Sequence, residues 1–168
     1  MPRSFDMATD YQATVEQVHQ AFRDERYWLA RLADSGADEI RLEGFELGRD
    51  GGVDVVTTQV LHATRLPAVI HQFHHGDLEI RRAETWTAIT DGRAEATVAG
   101  SIVGAPVSLI CEGGLSTPND LAHMAFRATV EVQIPLVGRK MENFICAQLE
   151  QLLITEQEFT TNWIAGNR

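Results

Sequence analysis

The chain has 168 residues, enough for one domain with a sizeable core, and its 44% hydrophobic and 23% charged content is that of an ordinary globular protein. A formal net charge of −10 argues against a nucleic-acid partner or an anionic membrane surface, since both require basic patches. No apolar run approaches the roughly 20 residues of an integral membrane segment, and Met1 to Asp6 carry no apolar signal core, so a cytoplasmic protein is expected.

Ser4 to Tyr11 alternates apolar and polar residues, the pattern of a half-buried first strand. Thr14-Val15-Glu16-Gln17 has the form of a capping box, with Val15, Val18 and Phe22 following on one helical face. Asp24 is placed as a second N-cap. Tyr27, Trp28, Leu29 and Leu32 give the next helix its apolar side, and Gly36 is placed to end it.

From Asp38 the period changes to two. Arg49-Asp50-Gly51-Gly52 reads as a hairpin turn into a strand over Val53 to His62. Pro67 to Gly76 is less regular, with room for one or two helical turns. Further strands are predicted over Leu78 to Ile89, Ala94 to Ile102, Val107 to Leu115 and Leu121 to Ile134. The last shows the clearest alternation: Met124, Phe126, Ala128, Val130, Val132 and Ile134 against Arg127, Thr129, Glu131 and Gln133. Short turns between successive strands imply an antiparallel meander.

Gly138 to Ile164 contains no proline or internal glycine and reads as one helix roughly 40 Å long. Met141, Ile145, Leu149, Leu152, Phe159 and Trp163 fall on one side of it. So much apolar surface needs a broad partner, and the strands supply one. The expected architecture is a single α+β domain over 1–168. A seven-stranded curved antiparallel sheet holds two short helices after its first strand, and the long C-terminal helix packs across the concave face.

This order of elements resembles the START-like or SRPBCC superfamily, the helix-grip fold. Particular stretches resemble an uncharacterised actinobacterial branch of it. They are PRSFDMATDY, YWLARLADSGAD, FHHGDLEIRRAETW, and IPLVGRKMENFICAQL leading into EQEFTTNWI. The resemblance implies a cavity between sheet and helix that takes a hydrophobic or amphipathic small molecule. The candidate lining is Ile80 and Trp86 on one strand, Met124, Phe126 and Val130 on the last, and Met141, Ile145, Leu152 and Phe159 on the helix. A closed core would show the same periodicity.

Polar residues in apolar places are more telling. Glu156 lies within about 40° of Ile145, Leu152 and Trp163 on the helical wheel, and Gln148 lies near the other edge of the stripe. Arg82 and Glu84 share a strand face with Ile80 and Trp86. A buried charge needs a partner, so Arg82 is expected to pair with Glu84 or Glu156, either as a structural ion pair or strand end in solvent or as polar anchors for a ligand headgroup.

Glu84 and Glu156 are also the weak catalytic candidates, each a carboxyl whose pKa apolar surroundings would raise. Ser108 and Ser116 have no nucleophile-elbow context, and no phosphate-binding or dinucleotide-binding glycine pattern is present, so no cofactor is expected. His71, His74 and His75 would converge only on a helix, and solvated histidines without metal are expected. Cys111 and Cys146 read as buried thiols rather than a disulfide. Ile154 and Ala147 lie off the main stripe, where a homodimer contact would use them.

The reading favours a binding or carrier protein for a lipid or polyketide-like compound. The alternatives are a polyketide cyclase or dehydratase-like enzyme using a cavity carboxylate, and a protein-interaction module.

Overall fold

The computed structural model describes residues 2–72 and 74–167. Strand β1 (Arg3–Asp10) is followed by α1 (Val15–Phe22) and α2 (Glu25–Asp34). Then come β2 (Glu39–Leu47), β3 (Val53–Leu61), the single helical turn α3 (Ala68–His71), and β4 (Leu78–Trp86). Strands β5 (Ala94–Ile102), β6 (Val107–Ser116) and β7 (His123–Val132) lead to α4 (Gly138–Gly166). Each strand pairs antiparallel with its neighbour in the order β1-β7-β6-β5-β4-β3-β2. The α1–α2 pair therefore carries the chain from one edge of the sheet to the other.

Local chemistry sets the boundaries. The capping box forms as the sequence predicts: Gln17 N–H donates to Thr14 Oγ1 at 3.2 Å, and Thr14 N–H donates to Gln17 Oε1 at 2.9 Å. Asp24 caps α2 by accepting from Arg26 N–H at 2.9 Å. Leu29 turns outward and is half exposed, so the apolar side of α2 is Tyr27, Trp28 and Leu32. The regular ladder of β4 ends at Trp86, short of the predicted Ile89: Glu95 N–H donates to the Thr87 hydroxyl at 2.9 Å, and pairing resumes only as the Thr90–Arg93 bridge beside the Asp91-Gly92 turn. Strand β7 likewise stops at Val132.

In β7 the inward residues Met124, Phe126, Ala128, Val130 and Val132 are all buried, as their alternation requires. Gly113 and Gly114 let β6 lie close against its neighbours: a Cβ at Gly113 would sit 1.9 Å from the Ala125 carbonyl oxygen. The 29-residue α4 approaches β1 and β7 most closely and also meets α1 and α2. No helix among the described residues is long and apolar enough to cross a membrane.

The buried line of α4 is Met141, Cys146, Leu153, Thr160 and Ile164, rotated from the predicted stripe. Leu152 is 42% exposed and Leu153 is buried. The apolar arc of the helix is wide enough for both positions. One flank packs on β1, β7 and the short helices, and the other overlooks open space. Glu142 is buried at the start of α4, where it accepts from Val132 N–H at 3.0 Å and ties the helix to the end of β7.

Between those two elements Leu136 adopts φ 72° with its side chain fully exposed. A left-handed conformation is costly for a bulky residue and natural for glycine. Leu136→Gly is expected to stabilise the fold by about 1 kcal/mol, seen as a higher urea midpoint with an unchanged slope.

Candidate functional site

A cavity of about 540 Å³ lies between β3–β7 and α4, within the usual range of ligand sites. It exists because α4 sits down on β1 and β7 and stands away from the middle strands. Leu66, Pro67 and Ile70 close the side near α3, and α2 contributes Arg31. Apolar side chains form most of the wall. Leu152 belongs to the wall and is partly open to solvent, so the cavity is reachable from outside.

The structure places Ile80, Arg82, Met124, Phe126, Ile145, Gln148, Leu152 and Glu156 around this space, together with Glu84. Four other anticipated residues are not on its wall. Trp86 is buried behind it, packed with its ring centroid 4.8 Å from that of Phe22 in a tilted pair and 6.1 Å from that of Phe126 in an edge-on pair. Val130 and Met141 are wholly buried where the first turns of α4 rest on the sheet. Phe159 packs on Tyr27, with ring centroids 5.9 Å apart, and borders a smaller recess beside Trp28 and Arg31. Each lies on the predicted apolar face, but that face is partly spent on packing.

One end of the cavity is built from four charges. Arg82 donates to Glu156 through both terminal nitrogens, at 2.8 and 3.1 Å. Arg31 reaches the same carboxylate at 2.6 Å. Arg82 Nε lies 3.2 Å from Glu84 Oε2, while Glu84 Oε1 accepts from Trp86 Nε1–H at 3.2 Å. Arg82 therefore pairs with both glutamates.

The missing member in the sequence reading was Arg31. It stands three residues after Trp28 and four after Tyr27, on the buried face of α2, and its guanidinium stacks on the Trp28 ring at 4.8 Å. An arginine at that spacing from two aromatics was the available signal. Only the fold shows that α2 delivers it to α4.

Burial alone would raise the Glu156 pKa. The Arg31 and Arg82 guanidiniums more than offset it and bring the value down to about 2. The expectation of a raised carboxyl pKa is thus reversed for Glu156, which stays an anion with both oxygens engaged. Burial pushes the Cys111 thiol on the cavity wall up to about 11, which leaves it protonated and unreactive. Tyr27, its pKa raised by burial, shares a hydrogen bond with Thr160 Oγ1 at 2.6 Å behind the cluster.

The histidine cluster lacks its helical premise, because α3 ends at His71. His74 instead binds the Asp77 carbonyl through Nε2 at 2.8 Å. A different trio, Glu39, His62 and Asp77, brings its side-chain donor atoms within 4.8 Å of one another on the exposed rim of β2–β4.

The sequence pattern of the family described as "Protein of unknown function (DUF2505)" matches residues 6–164. The chain belongs to this family. A relative of the same length class, the uncharacterized protein Rv0481c of Mycobacterium tuberculosis (strain ATCC 25618 / H37Rv), is 45% identical over 173 residues and covers 99% of both chains.

Two solved structures share their overall fold, the helix-grip arrangement, with the DUF2505 chain. The crystal structure of TTHA0849 from Thermus thermophilus has a TM-score of 0.63 at 10% identity, covering 98% of this chain and 99% of that one. Norcoclaurine synthase from Thalictrum flavum, in complex with dopamine and hydroxybenzaldehyde, has a TM-score of 0.54 at 12% identity, covering 100% and 89%. At such identities the likeness is one of fold.

Proposed function

We propose that the protein binds a hydrophobic or amphipathic small molecule, of lipid or polyketide-like size, in the cavity between the sheet and α4, and acts as its carrier. The observation that carries this reading is the roughly 540 Å³ of space with a mainly apolar wall and one polar end. A core meant only for stability would close such a void, since unfilled space of this kind costs stability. Norcoclaurine synthase, which shares the fold, holds two small aromatic molecules in its crystal structure, which supports reading the cavity as a place for a guest.

The state of Glu156 speaks against one of the two candidate carboxyls of a catalytic reading. With both oxygens held by guanidiniums and a pKa of about 2, it is neither a proton donor near neutral pH nor a free base.

Native mass spectrometry of freshly purified protein tests the proposal. A co-purifying small molecule should appear as an added mass that is removed by organic extraction and restored on incubation with the extract. Apoprotein alone, with no mass regained from a cell lipid extract, would count against it.

A further inference from the structure

We propose that the cavity selects uncharged ligands: apolar molecules whose polar functions are neutral oxygens, such as hydroxyl, ketone or ester groups, rather than carboxylates or amines. This rests on the reading of the cavity as a ligand site and adds the chemical class.

Arg31, Arg82, Glu84 and Glu156 are the charged side chains on its wall among the described residues, and their formal charges cancel. They are also committed to one another. Both Glu156 oxygens accept from Arg82, Arg31 reaches the same carboxylate, and the Glu84 side chain, 5% exposed, lies between Arg82 and Trp86. Arg31 also donates from Nη1 to the Tyr27 hydroxyl at 3.3 Å and stacks on Trp28. A charged headgroup entering this end would lose its hydration and find no unmatched countercharge, a cost that a buried ion recovers only from a well-aligned partner.

Within the cluster Arg82 Nε and Glu84 Oε2 make no hydrogen bond but face each other at 3.2 Å as an ion pair, so their charges are matched. The polar side chains of the wall outside the cluster are neutral. Gln59 on β3 pairs in register with Ile80 and shares its face, so it looks across the cavity toward Gln148 on α4. Neither carboxamide makes a side-chain hydrogen bond among the described residues. Each offers a donor and an acceptor. Two neutral amides on opposite walls suit hydroxyl and carbonyl oxygens and provide nothing for an ion.

The test is displacement of Nile red, a neutral fluorophore, by decan-1-ol, decanoate, decylammonium and decane at neutral pH. Decan-1-ol should displace the dye at concentrations at least tenfold below either charged decyl compound. Gln148→Leu, at a cavity-facing position, should narrow the gap between decan-1-ol and decane several-fold. Glu84→Gln keeps an acceptor for Trp86 and leaves one positive charge in excess, so it should improve displacement by decanoate about tenfold. Equal displacement by alcohol and ion, or a Glu84→Gln protein indifferent to decanoate, overturns the selectivity while leaving the ligand site standing. Failure of Nile red to bind at all removes both.

Discussion

Glu156→Gln is expected to cost about 3–5 kcal/mol of folding stability, the usual loss when one partner is taken from a buried ion cluster. The reason is asymmetry. Glu156 is the carboxylate that Arg31 and Arg82 share, so its removal leaves Arg31 without a carboxylate partner among the described residues and Arg82 with Glu84 alone. Guanidiniums do not neutralise by losing a proton, so the fold bears the whole desolvation cost. For a domain of this size the melting temperature should fall by roughly 10 °C.

The same cluster gives the wild type a pH signature. Because the folded pKa of Glu156 lies near 2, below its ordinary 4.5, the contribution is complete above about pH 5. It fades as pH falls through the folded value and amounts to roughly 3 kcal/mol in all. Urea unfolding between pH 6 and pH 3 should show this slope in the wild type and a shallower one in Glu156→Gln. Equal slopes would mean that the carboxylate is not held as described.

Gly113→Ala is the second large effect, expected to exceed about 3 kcal/mol or to prevent folding. The added Cβ would stand 1.9 Å from the Ala125 carbonyl oxygen and 2.8 Å from Phe126 Cα. Both are backbone atoms of β7, so no side chain can swing aside. Strand β7 is also the one that α4 approaches closely and the one that supplies Met124 and Phe126 to the cavity. Displacing it disturbs sheet, helix and site together. Gly166→Ala is the control: a Cβ there meets open space, and its effect should stay within about 0.5 kcal/mol. Urea denaturation of the two variants side by side checks both statements.

The architecture was readable in the chain because each strong local signal agreed with the global fold. The period of two in Met124 to Val132, the Thr14–Gln17 box and the unbroken run after Gly138 each specify an element without tertiary help. The site was only partly readable. A helical wheel defines an apolar arc but cannot divide it between packing and cavity, so Met141 went to the core and Leu152 to the wall. Glu156 was recognisable as a polar residue on an apolar face. The sign of its pKa shift depended on Arg31, which comes from α2, far away in sequence and free of any local motif. Gly113 and Gly114 fall inside the predicted Val107–Leu115 strand with no local signal of their own, and their role emerges only from the backbone oxygens of the adjoining strands.

A single titration bears most directly on the cavity itself: Nile red binding to the wild type and to Ile80→Trp. Ile80 faces the cavity from β4, and an indole there would occupy space now open to a guest. The wild type should bind saturably with one-to-one stoichiometry, and the filled variant, folded by circular dichroism, should bind at least tenfold more weakly. Undiminished binding by Ile80→Trp, or no binding by the wild type, would contradict a small-molecule site between the sheet and α4.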